Sequence, residues 1–529
     1  MRNRGTSYDS KQVTDLSAGM FKDVDRHQVP LGGWTDSNNF HFYNGRMVSY
    51  NGWQALTGDG SVPLSGAVNF GYDFELFNKT RKLVLGTPSE MYVYNASTKV
   101  FSSIKHAAGV YTTPASNRWR VAQMNNAIYM TNGSQQIQVY TGTGVCVDLA
   151  GDSEEPTAAR FIINFAGHLV TADITDSSGA QPQRLRWSDF GAPTIWTPAD
   201  DNEANFADMP EDPGPILGME ILGPRQMVVF QTSSSTLVTY VGVPEVFRFE
   251  RVNSTPKQAL LAPYSIVNTR NQVYYLGRDD FYSFSGTGEP QSLGAGKIRD
   301  YFFGRFRETD ANLVFGFAHP LFNEIWWVFK NKNGGYTLLS YNLDTEGWSY
   351  RDVFTHSMLC TFLQQSADRT WADIPLTTTW ANVGNITWSE KLATGATLII
   401  SGDPSGNVWL HEKVANAGAD VNGVGGSVIA GNLESGDVEI GKFPVWSNRL
   451  YMTLRALDQS DYPIVVLIGA RNNFETPMSW GDSADVPTDE DWPYHDYLLS
   501  TRFMGVRIAT SRKISLSAFE FMRQTAGVR

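Results

Sequence analysis

Charged residues are scarce in this chain, at 18% of 529 residues, and basic residues are the rarer kind. The 42 Lys and Arg against 54 Asp and Glu give a formal net charge of −12. A protein that grips nucleic acid through its phosphates needs an excess of Lys and Arg, so this balance argues against such binding. It is compatible with DNA that slides past a surface without being held. It also serves simply to keep a large protein soluble.

Cysteine is almost absent, with Cys146 and Cys360 as the two copies. Thiols so far apart in sequence exclude a disulfide scaffold and a cysteine-based zinc site. The first residues, MRNRGTSYDSKQVTD, contain no apolar core, so we expect no secretion signal. The longest apolar stretch, residues 462–470, is far shorter than a membrane span and predicts a buried strand. The expectation is a soluble protein made in a cytoplasm.

Sequence signatures of catalysis are missing as well. No two of the eight histidines have HxH or HExxH spacing, and the chain has no G-x-S-x-G elbow, no phosphate loop and no G-x-G-x-x-G after a strand. The segment RWSDFGAPTIW at 186–196 resembles the Asp-box turn of sialidase-like propellers, but it occurs once and its spacing departs from that box. We therefore predict no enzymatic activity, no cofactor and no metal. A site assembled from distant loops stays open as an alternative.

The chain is rich in glycine (48 residues) and in aromatic residues (13%), which favours strands and tight turns. An apolar strand, a polar turn and an aromatic-rich second strand recur roughly every 45–55 residues, a spacing typical of propeller blades. A unit of this kind cannot bury its own face, so several must pack around an axis. The clear copies are residues 82–104, 126–149, 226–252, 272–286 and 323–350.

These repeats predict an all-β protein with a β-propeller of about six to eight blades and a C-terminal β-sandwich-like domain. With 161–198 as a further unit and 396–412 as the last strand pair, the count is about seven. We assign residues 1–60 to a lead-in strand and hairpin turning at Asn44-Gly45, 61–412 to the propeller, 413–432 to a Gly/Ala-rich linker or loop, and 433–529 to the sandwich. Residues 295–306 are the best helix candidate.

Two acidic clusters stand out in predicted loops. The first contains Asp200, Asp201, Glu203, Asp208, Glu211 and Asp212, and the second contains Asp482, Asp485, Asp489, Glu490 and Asp491. Neither has the ligand order of a calcium loop. They are interpreted as solvated rim loops, or as a rim that repels phosphate or docks a basic partner. The aromatic pairs Trp326-Trp327, Tyr274-Tyr275 and Phe302-Phe303 are predicted to pack between blades rather than to form sugar-stacking platforms.

Several segments, taken in order, resemble a family of virion proteins from short-tailed bacteriophages, the tail-nozzle or tail-hub (packaged-DNA stabilisation) proteins. The resemblance covers most of residues 15–350 and 435–529. Each motif is degenerate when taken alone. At position 280 this chain has Asp, where a glycine is common in the family. The stretches that carry it are DLSAGMF…VPLGGWTDSNNFHFYNGRMVSYNGW, QRLRWSDFGAPTIWTP, QMVVFQTSSSTLVTYVGVPEVFRFERVNST, YYLGRDDFYSFSGTGEPQSLGAGKIRDYFF and RFMGVRIATSRKISLSAFEFMRQTAGVR.

The resemblance implies a structural protein of the phage virion tail, assembled in the host cytoplasm. Several propeller protomers would form a homo-oligomeric ring, expected to be a hexamer, that continues the DNA channel below the portal and adaptor proteins. The ring would retain packaged double-stranded DNA, let it pass without sequence recognition, and support fibre, spike or needle proteins. The acidic loops are candidates for lining the lumen or docking partners. The alternative is a propeller tail protein that binds or hydrolyses glycans.

Overall fold

The computed structural model describes most of the chain. The described residues are 8–56, 63–95, 98, 100–107, 111–209, 212–352, 356–364, 396–411, 431–440, 445–456, 464–486, 493–510 and 514–524. Almost all regular structure in them is β, with one α-helix, α1 (Arg299–Arg305), and 3₁₀ turns at Arg26–Gln28 and Glu308–Leu313. The predicted segment 413–432 lies mostly outside the described residues.

The chain begins with five short strands that precede the first blade. Asn44 and Gly45, both with positive φ, form the two-residue turn between the third and fourth of them, as the Asn-Gly pair predicted. The strands are β1 (Tyr8–Val13), β2 (Trp34–Asn38), β3 (Phe40–Tyr43), β4 (Arg46–Ser49) and β5 (Trp53–Ala55).

The propeller follows as a series of four-stranded antiparallel sheets. The first three blades are β6 (Phe70–Glu75), β7 (Arg81–Gly86), β8 (Met91–Asn95) and β9 (Val100–Ser103); β10 (Arg120–Met124), β11 (Ala127–Thr131), β12 (Gln138–Tyr140) and β13 (Val147–Asp148); and β14 (Ala158–Phe165), β15 (His168–Asp176), β16 (Gly179–Trp187) and β17 (Asn205–Asp208).

The next four blades continue the pattern. They are β18 (Ile216–Gly223), β19 (Gln226–Gln231), β20 (Ser235–Gly242) and β21 (Val246–Arg251); β22 (Val267–Thr269), β23 (Gln272–Leu276), β24 (Phe281–Phe284) and β25 (Gln291–Ser292); β26 (Phe315–His319), β27 (Glu324–Lys330), β28 (Tyr336–Asn342) and β29 (Trp348–Arg351); and β30 (Met358–Gln364), β31 (Ala396–Gly402) and β32 (Val408–His411) with β5.

The blades close into a ring through their first strands. Within the described residues, six four-stranded sheets stand alone, and β26–β29 forms a seventh four-stranded blade inside a larger sheet. Each first strand contacts the next, and β30 returns to β6. Gly71 on β6 and Gly316 on β26 permit this approach, since a Cβ at either position would meet a neighbouring blade at under 3 Å. Strand β5 pairs with β32, so the lead-in segment completes the last blade.

A β-sandwich is built from both parts of the chain that flank the propeller. Its strands from the second part are β33 (Gly431–Ser435), β34 (Val438–Glu439), β35 (Val445–Ala456), β36 (Ile464–Arg471), β37 (Ser479–Asp485), β38 (Tyr494–Thr501), β39 (Phe503–Thr510) and β40 (Ile514–Gln524). One sheet runs β3-β4-β40-β35-β38, with β1 also on β40; the other contains β2-β33-β39-β36-β37, with β34 on β39.

The propeller and the sandwich share a sheet. Strand β29 of blade six pairs in parallel with β2 at Tyr350 and Asn38, and β2 continues into the second sandwich sheet. Strands β1–β4 of the lead-in thus belong to the sandwich, whereas β5 belongs to blade seven. Strand β3 shows why the lead-in strands pack on the sandwich. Side chains alternate between the two faces of a strand, and the apolar Phe40 and Phe42 both face the sandwich core.

The architecture confirms the predicted all-β propeller with a sandwich. Each predicted hairpin corresponds to later strands of a blade, the helix candidate contains α1, and residues 462–470 overlap the buried strand β36. Trp326, Trp327, Tyr274, Tyr275 and Phe302 are buried, as predicted for core packing, and Phe303 is partly buried. Both cysteines are buried free thiols.

Candidate functional site

The first strands of the blades surround a small cavity at the propeller axis. Its volume is about 280 Å³. Residues from all seven blades or the turns that lead into them form its wall, and most of these residues are apolar. The charged residues of this wall are Arg118, Arg120 and Glu220. A predominantly apolar pocket with a few converging polar groups is the usual form of a ligand site.

Arg118 joins four blades across this axis. It lies just before β10 of blade two, and its backbone N–H donates to Tyr264 Oη at 3.0 Å, ahead of blade five. Its Nη1 donates to the Ser357 carbonyl at 2.6 Å, and its Nη2 to the Leu313 carbonyl at 3.0 Å, beside blades seven and six. Burial lowers the pKa of Arg118 to about 10, which leaves it charged at neutral pH. Arg118 therefore links the blades through hydrogen bonds that cross the centre of the ring.

Arg120 and Glu220 face the same cavity. Arg120 donates from Nη2 to the Pro263 carbonyl at 3.1 Å and lies 4.7 Å from the centroid of the Tyr264 ring. Burial lowers the pKa of Arg120. Burial also raises the pKa of Glu220 to about 7, against the opposing effect of Arg120. The site thus combines two cations with a carboxyl group that changes charge near neutral pH.

Four histidines meet in a buried seam between blades six and seven and the lead-in segment. Ser401 Oγ lies 3.1 Å from His356 Nδ1 and 2.6 Å from His411 Nε2. Burial, and then the charge of Arg351, lowers the pKa of His356 to about 3. Burial, followed by His356, places the pKa of His411 well below its usual value. Both rings are thus held neutral, and both pack against Trp53 of the closing strand.

The other two histidines of this seam connect the lead-in hairpin to blade six. His41 Nδ1 lies 3.0 Å from both carboxylate oxygens of Glu324, and Trp326 Nε1 donates to Glu324 at 2.8 Å. His319 packs against Trp326 with the rings tilted and their centroids 4.4 Å apart. In the described part of the chain, no cluster of three or more His, Cys, Asp or Glu side chains has an arrangement that could hold a metal ion. The ring contacts of His41 and His319 pack the lead-in hairpin against blade six.

The first acidic cluster is spread over different environments on blade three and beyond it. Asp200 and Asp201 are exposed. Glu203 is partly buried, with its carboxylate 3.2 Å from His168 Nε2. Asp208 on the outer strand β17 receives two hydrogen bonds from Arg184, which lower the pKa of its carboxyl group.

Asp212 differs from its neighbours because it is buried. Burial alone would raise its pKa, but hydrogen bonds from the backbone of Gly214 and Ser233 and from the hydroxyls of Ser233 and Ser234 outweigh this and lower it. Its carboxylate stabilises a turn between blades three and four. Glu211 lies outside the described residues.

The second acidic cluster leads out of β37, at the edge of a sandwich sheet. Asp485 is exposed, and its Oδ1 accepts a hydrogen bond from the backbone of Ile464 at 3.1 Å. Asp482 occupies a position on β37, and Asp489, Glu490 and Asp491 lie outside the described residues. The two clusters thus belong to different parts of the fold, one to blade three and the other to the sandwich.

The axial cations are residues that sequence reasoning missed. The signal was the alternation in NRWRVA at 117–122, where Arg118 and Arg120 flank the buried Trp119 at the start of a strand. Two charges on one side of an otherwise apolar strand indicate a buried polar site. The described residues include no helix long and apolar enough to cross a membrane.

The sheets define the chain as a β-propeller protein with an attached sandwich. No protein-family model matches it, and no curated protein does. Similar solved structures include two crystal structures of BBS1N in complex with ARL6DN, one soaked with mercury and the other with lead. Each has a TM-score of 0.37 and 10% sequence identity, and covers 69% of this chain and 99% of the other. At that level the similarity adds nothing about function.

Proposed function

We propose that this protein is the structural protomer of a phage tail nozzle, as its ordered sequence motifs imply. Copies of it would form a ring below the portal and adaptor, retain the packaged DNA and support fibre, spike or needle proteins. The proposal gives the protein no catalytic role. The particle tail is its proposed location.

The observation that carries the proposal is the shared sheet between propeller and sandwich. Hydrogen bonds run from blade six through β2 into β33 and β39, so backbone hydrogen bonds join the two parts. Lys22 adds a bridge of 2.6 Å to Asp36, whose Oδ1 also accepts from Tyr350 of blade six at 2.9 Å. Two parts joined in this way suit the wall of a conduit.

The closed axis supports a ring of several copies. The cavity at the centre of the propeller holds about 280 Å³ and is crossed by the Arg118 hydrogen bonds. A DNA duplex, whose major groove alone is about 12 Å wide, does not fit through it. A nozzle built from this protein would therefore carry DNA in a lumen enclosed by neighbouring protomers.

The charge of the chain supports passage without capture. Each protomer carries a formal charge of −12, so a ring repels phosphate instead of binding it. Among the described members of the acidic clusters, the exposed ones are Asp200, Asp201, Asp208 and Asp485, and we propose that such residues line the lumen or dock a basic partner.

The positions of the family-like segments are a further support. The family-like stretches near the beginning and end of the chain meet in one sandwich, where β4 pairs with β40. Residues that open and close the family pattern thus build a single body. This arrangement accounts for their occurrence together.

The decisive experiment is assembly with a connector. The purified chain is mixed with a portal–adaptor complex of a short-tailed phage from the same genome neighbourhood, and the product is examined by mass photometry and electron microscopy. We expect a ring, with six copies as the expected number, and no retention of double-stranded DNA at low salt. Failure to join the connector, together with cleavage of a host polysaccharide by the monomer, would falsify the proposal.

A second candidate, glycan binding, has one observation in its favour. A cleft of about 520 Å³ between blades five and six is lined by polar groups that include Gln272, Ser283, Gln291 and Lys297. Hydroxyls and amides in a cleft of this size suit a polar ligand such as a sugar. This function would be supported if the parent protein binds host-surface polysaccharide and the Gln291→Ala variant does not. Equal binding by the parent and the variant would exclude this cleft as the binding site.

A further inference from the structure

The axial cavity has a charge opposite to that of the protein as a whole. Two guanidinium groups and one carboxyl group line it, in a chain of net charge −12. Burial and then the charge of Arg120 lower the pKa of Arg118, and burial and then the charge of Arg160 lower the pKa of Arg120. Desolvated cations are costly unless negative charge or hydrogen-bond acceptors balance them.

The hydrogen bonds of the two arginines leave donor capacity at the cavity. Arg120 uses Nη2 for the Pro263 carbonyl, and its buried Nε has no acceptor within hydrogen-bond distance among the residues that the structure describes. The side-chain oxygen of Asn69, on the same cavity wall, is likewise buried without a donor in the described chain. The opposite amide orientation would present N–H donors there instead.

We propose that this cavity binds a small oxyanion, of the carboxylate, sulfate or phosphate class. Arg120 is the principal ligand, since a guanidinium presents donors in a fork that matches two oxygens of such an anion. Tyr264 and Phe161 form apolar walls beside it, at 4.7 and 6.0 Å from the Arg120 guanidinium. Arg118 positions the ring strands around the site through its carbonyl hydrogen bonds.

The volume restricts the ligand to a small one. A volume of about 280 Å³ lies just below the usual range of ligand-site volumes, which runs from about 300 to 1,000 Å³. A monovalent or divalent oxyanion with a few attached carbon atoms fits, whereas an oligosaccharide or a nucleic-acid strand does not. This inference is independent of the proposed assembly into a nozzle.

Glu220 makes the site sensitive to pH. Its pKa of about 7 means that it is mostly neutral in mild acid and mostly charged in mild base. The charged carboxylate competes with a bound anion for Arg120, the cation that opposes the rise in its pKa. Arg118 and Arg120 are the other charged groups on this wall, and Arg118, with a pKa of about 10, stays protonated in this range. Anion binding should therefore be stronger at lower pH.

The test is titration calorimetry of the full chain with sulfate and with acetate at constant ionic strength. Sulfate keeps one charge state across the range, so a pH effect reports on the protein. We expect binding about tenfold tighter near pH 6 than near pH 8, following the protonation of Glu220. Arg120→Gln should weaken sulfate binding by about tenfold or more, because it removes a charge-assisted hydrogen bond.

Two further variants separate a site from a general salt effect. Sulfate stabilises folded proteins by exclusion from their surface, so a thermal shift alone is insufficient. Arg248→Gln removes an equal charge from an exposed position on β21 and should bind like the parent protein. Glu220→Gln should bind tightly at both pH values. Acetate binding without sulfate binding would restrict the class to carboxylates.

The outcomes decide the proposal even if one variant folds poorly. The proposal is overturned if calorimetric titration of the parent protein shows no saturable binding of sulfate or acetate. Equal sulfate affinity in the parent and in a folded Arg120→Gln protein overturns it as well. If Arg120→Gln does not fold, an unchanged pH dependence in Glu220→Gln has the same consequence, since the carboxyl group would then play no part in binding.

Discussion

The propeller and the sandwich are built from the chain in opposite ways. Each of the first six blades takes its four strands from one continuous stretch, so its hydrogen bonds join residues close in sequence. The sandwich pairs residues from far apart, with Tyr8 opposite Gln524 and Met47 opposite Leu516. The comparison shows that the blades can form locally, whereas the sandwich requires the two flanking parts of the chain to meet.

The lead-in segment couples the two parts. On β3, Phe40 and Phe42 face the sandwich core, while His41 between them packs against Glu324 and Trp326 of blade six. Strand β5 then completes blade seven. Closure of the ring and formation of the sandwich therefore depend on the same residues between 34 and 55.

The largest effect is expected from breaking the sandwich core at Trp34. This side chain is fully buried on β2 and donates from Nε1 to the Leu16 carbonyl at 3.0 Å. Trp34→Ala should lower the free energy of unfolding by about 4 kcal/mol, because it leaves a cavity and an unsatisfied carbonyl. Urea denaturation followed by circular dichroism measures this loss.

Trp446→Ala is the matched control for this change. Trp446 belongs to the same sandwich but is 48% exposed, so its removal should cost less than about 1 kcal/mol. Equal losses in the two variants would mean that the sandwich core does not hold the lead-in segment. In that case, the coupling inferred from β2 would be wrong.

The same contrast explains what the sequence could predict. The recurring hairpins at 82–104, 126–149 and 226–252 correspond to later strands of their blades, because strand alternation and tight turns are local signals. The pairing of β1 with β40 has no local signal, since both strands alternate in the same way as many others. The sharing of the lead-in between sandwich and blade seven was beyond reach for that reason.

The candidate sites divide in a similar manner. The acidic clusters were visible as runs in the sequence, but a run does not distinguish the exposed Asp200 from Asp212, whose carboxylate closes a turn. The four seam histidines are spread from 41 to 411, and the ring alone brings them together. Arg118 shows the same limit, because its acceptors at 313 and 357 lie on other blades.

The second prediction weakens the propeller without touching the sandwich. Arg118→Met removes the hydrogen bonds to the Leu313 and Ser357 carbonyls and should destabilise the protein by about 3 kcal/mol. Arg225→Met is the control, since Arg225 donates to the Tyr240 carbonyl within its own blade at an exposed position. Comparable midpoints of chemical denaturation in the two variants would contradict a fastening role for Arg118.

The third prediction acts on the seam between blade seven and the lead-in. The pKa of His356 falls from 6.5 to about 3 on folding, so the unfolded chain binds more protons between these values. Stability is therefore complete above about pH 6.5 and falls with pH below it, by about 2 kcal/mol at about pH 5 for this one residue. Its charged and titratable surroundings are Arg351 and His411, with Ser401 as hydrogen-bond partner.

Denaturation midpoints measured across this pH range test the assignment. His356→Gln should flatten the dependence, while His27→Gln, at an exposed position, should leave the slope unchanged. If removing His356 left the acid dependence intact, other groups would have to account for it. His411 is the next candidate, since it lies in the same seam and its pKa is lowered in the same direction.

The smallest effect is expected at the propeller rim. Asp208 is 47% exposed, and its ion pair with Arg184 is screened by solvent, so Asp208→Asn should cost about 0.5 kcal/mol, and less in high salt. Asp201→Asn removes the same charge from another exposed position and should cost nothing measurable. A loss of several kcal/mol in Asp208→Asn would make this rim part of the folded framework. A loss near zero leaves its exposed carboxylates free to face DNA or a partner, which is the property that the proposed nozzle needs.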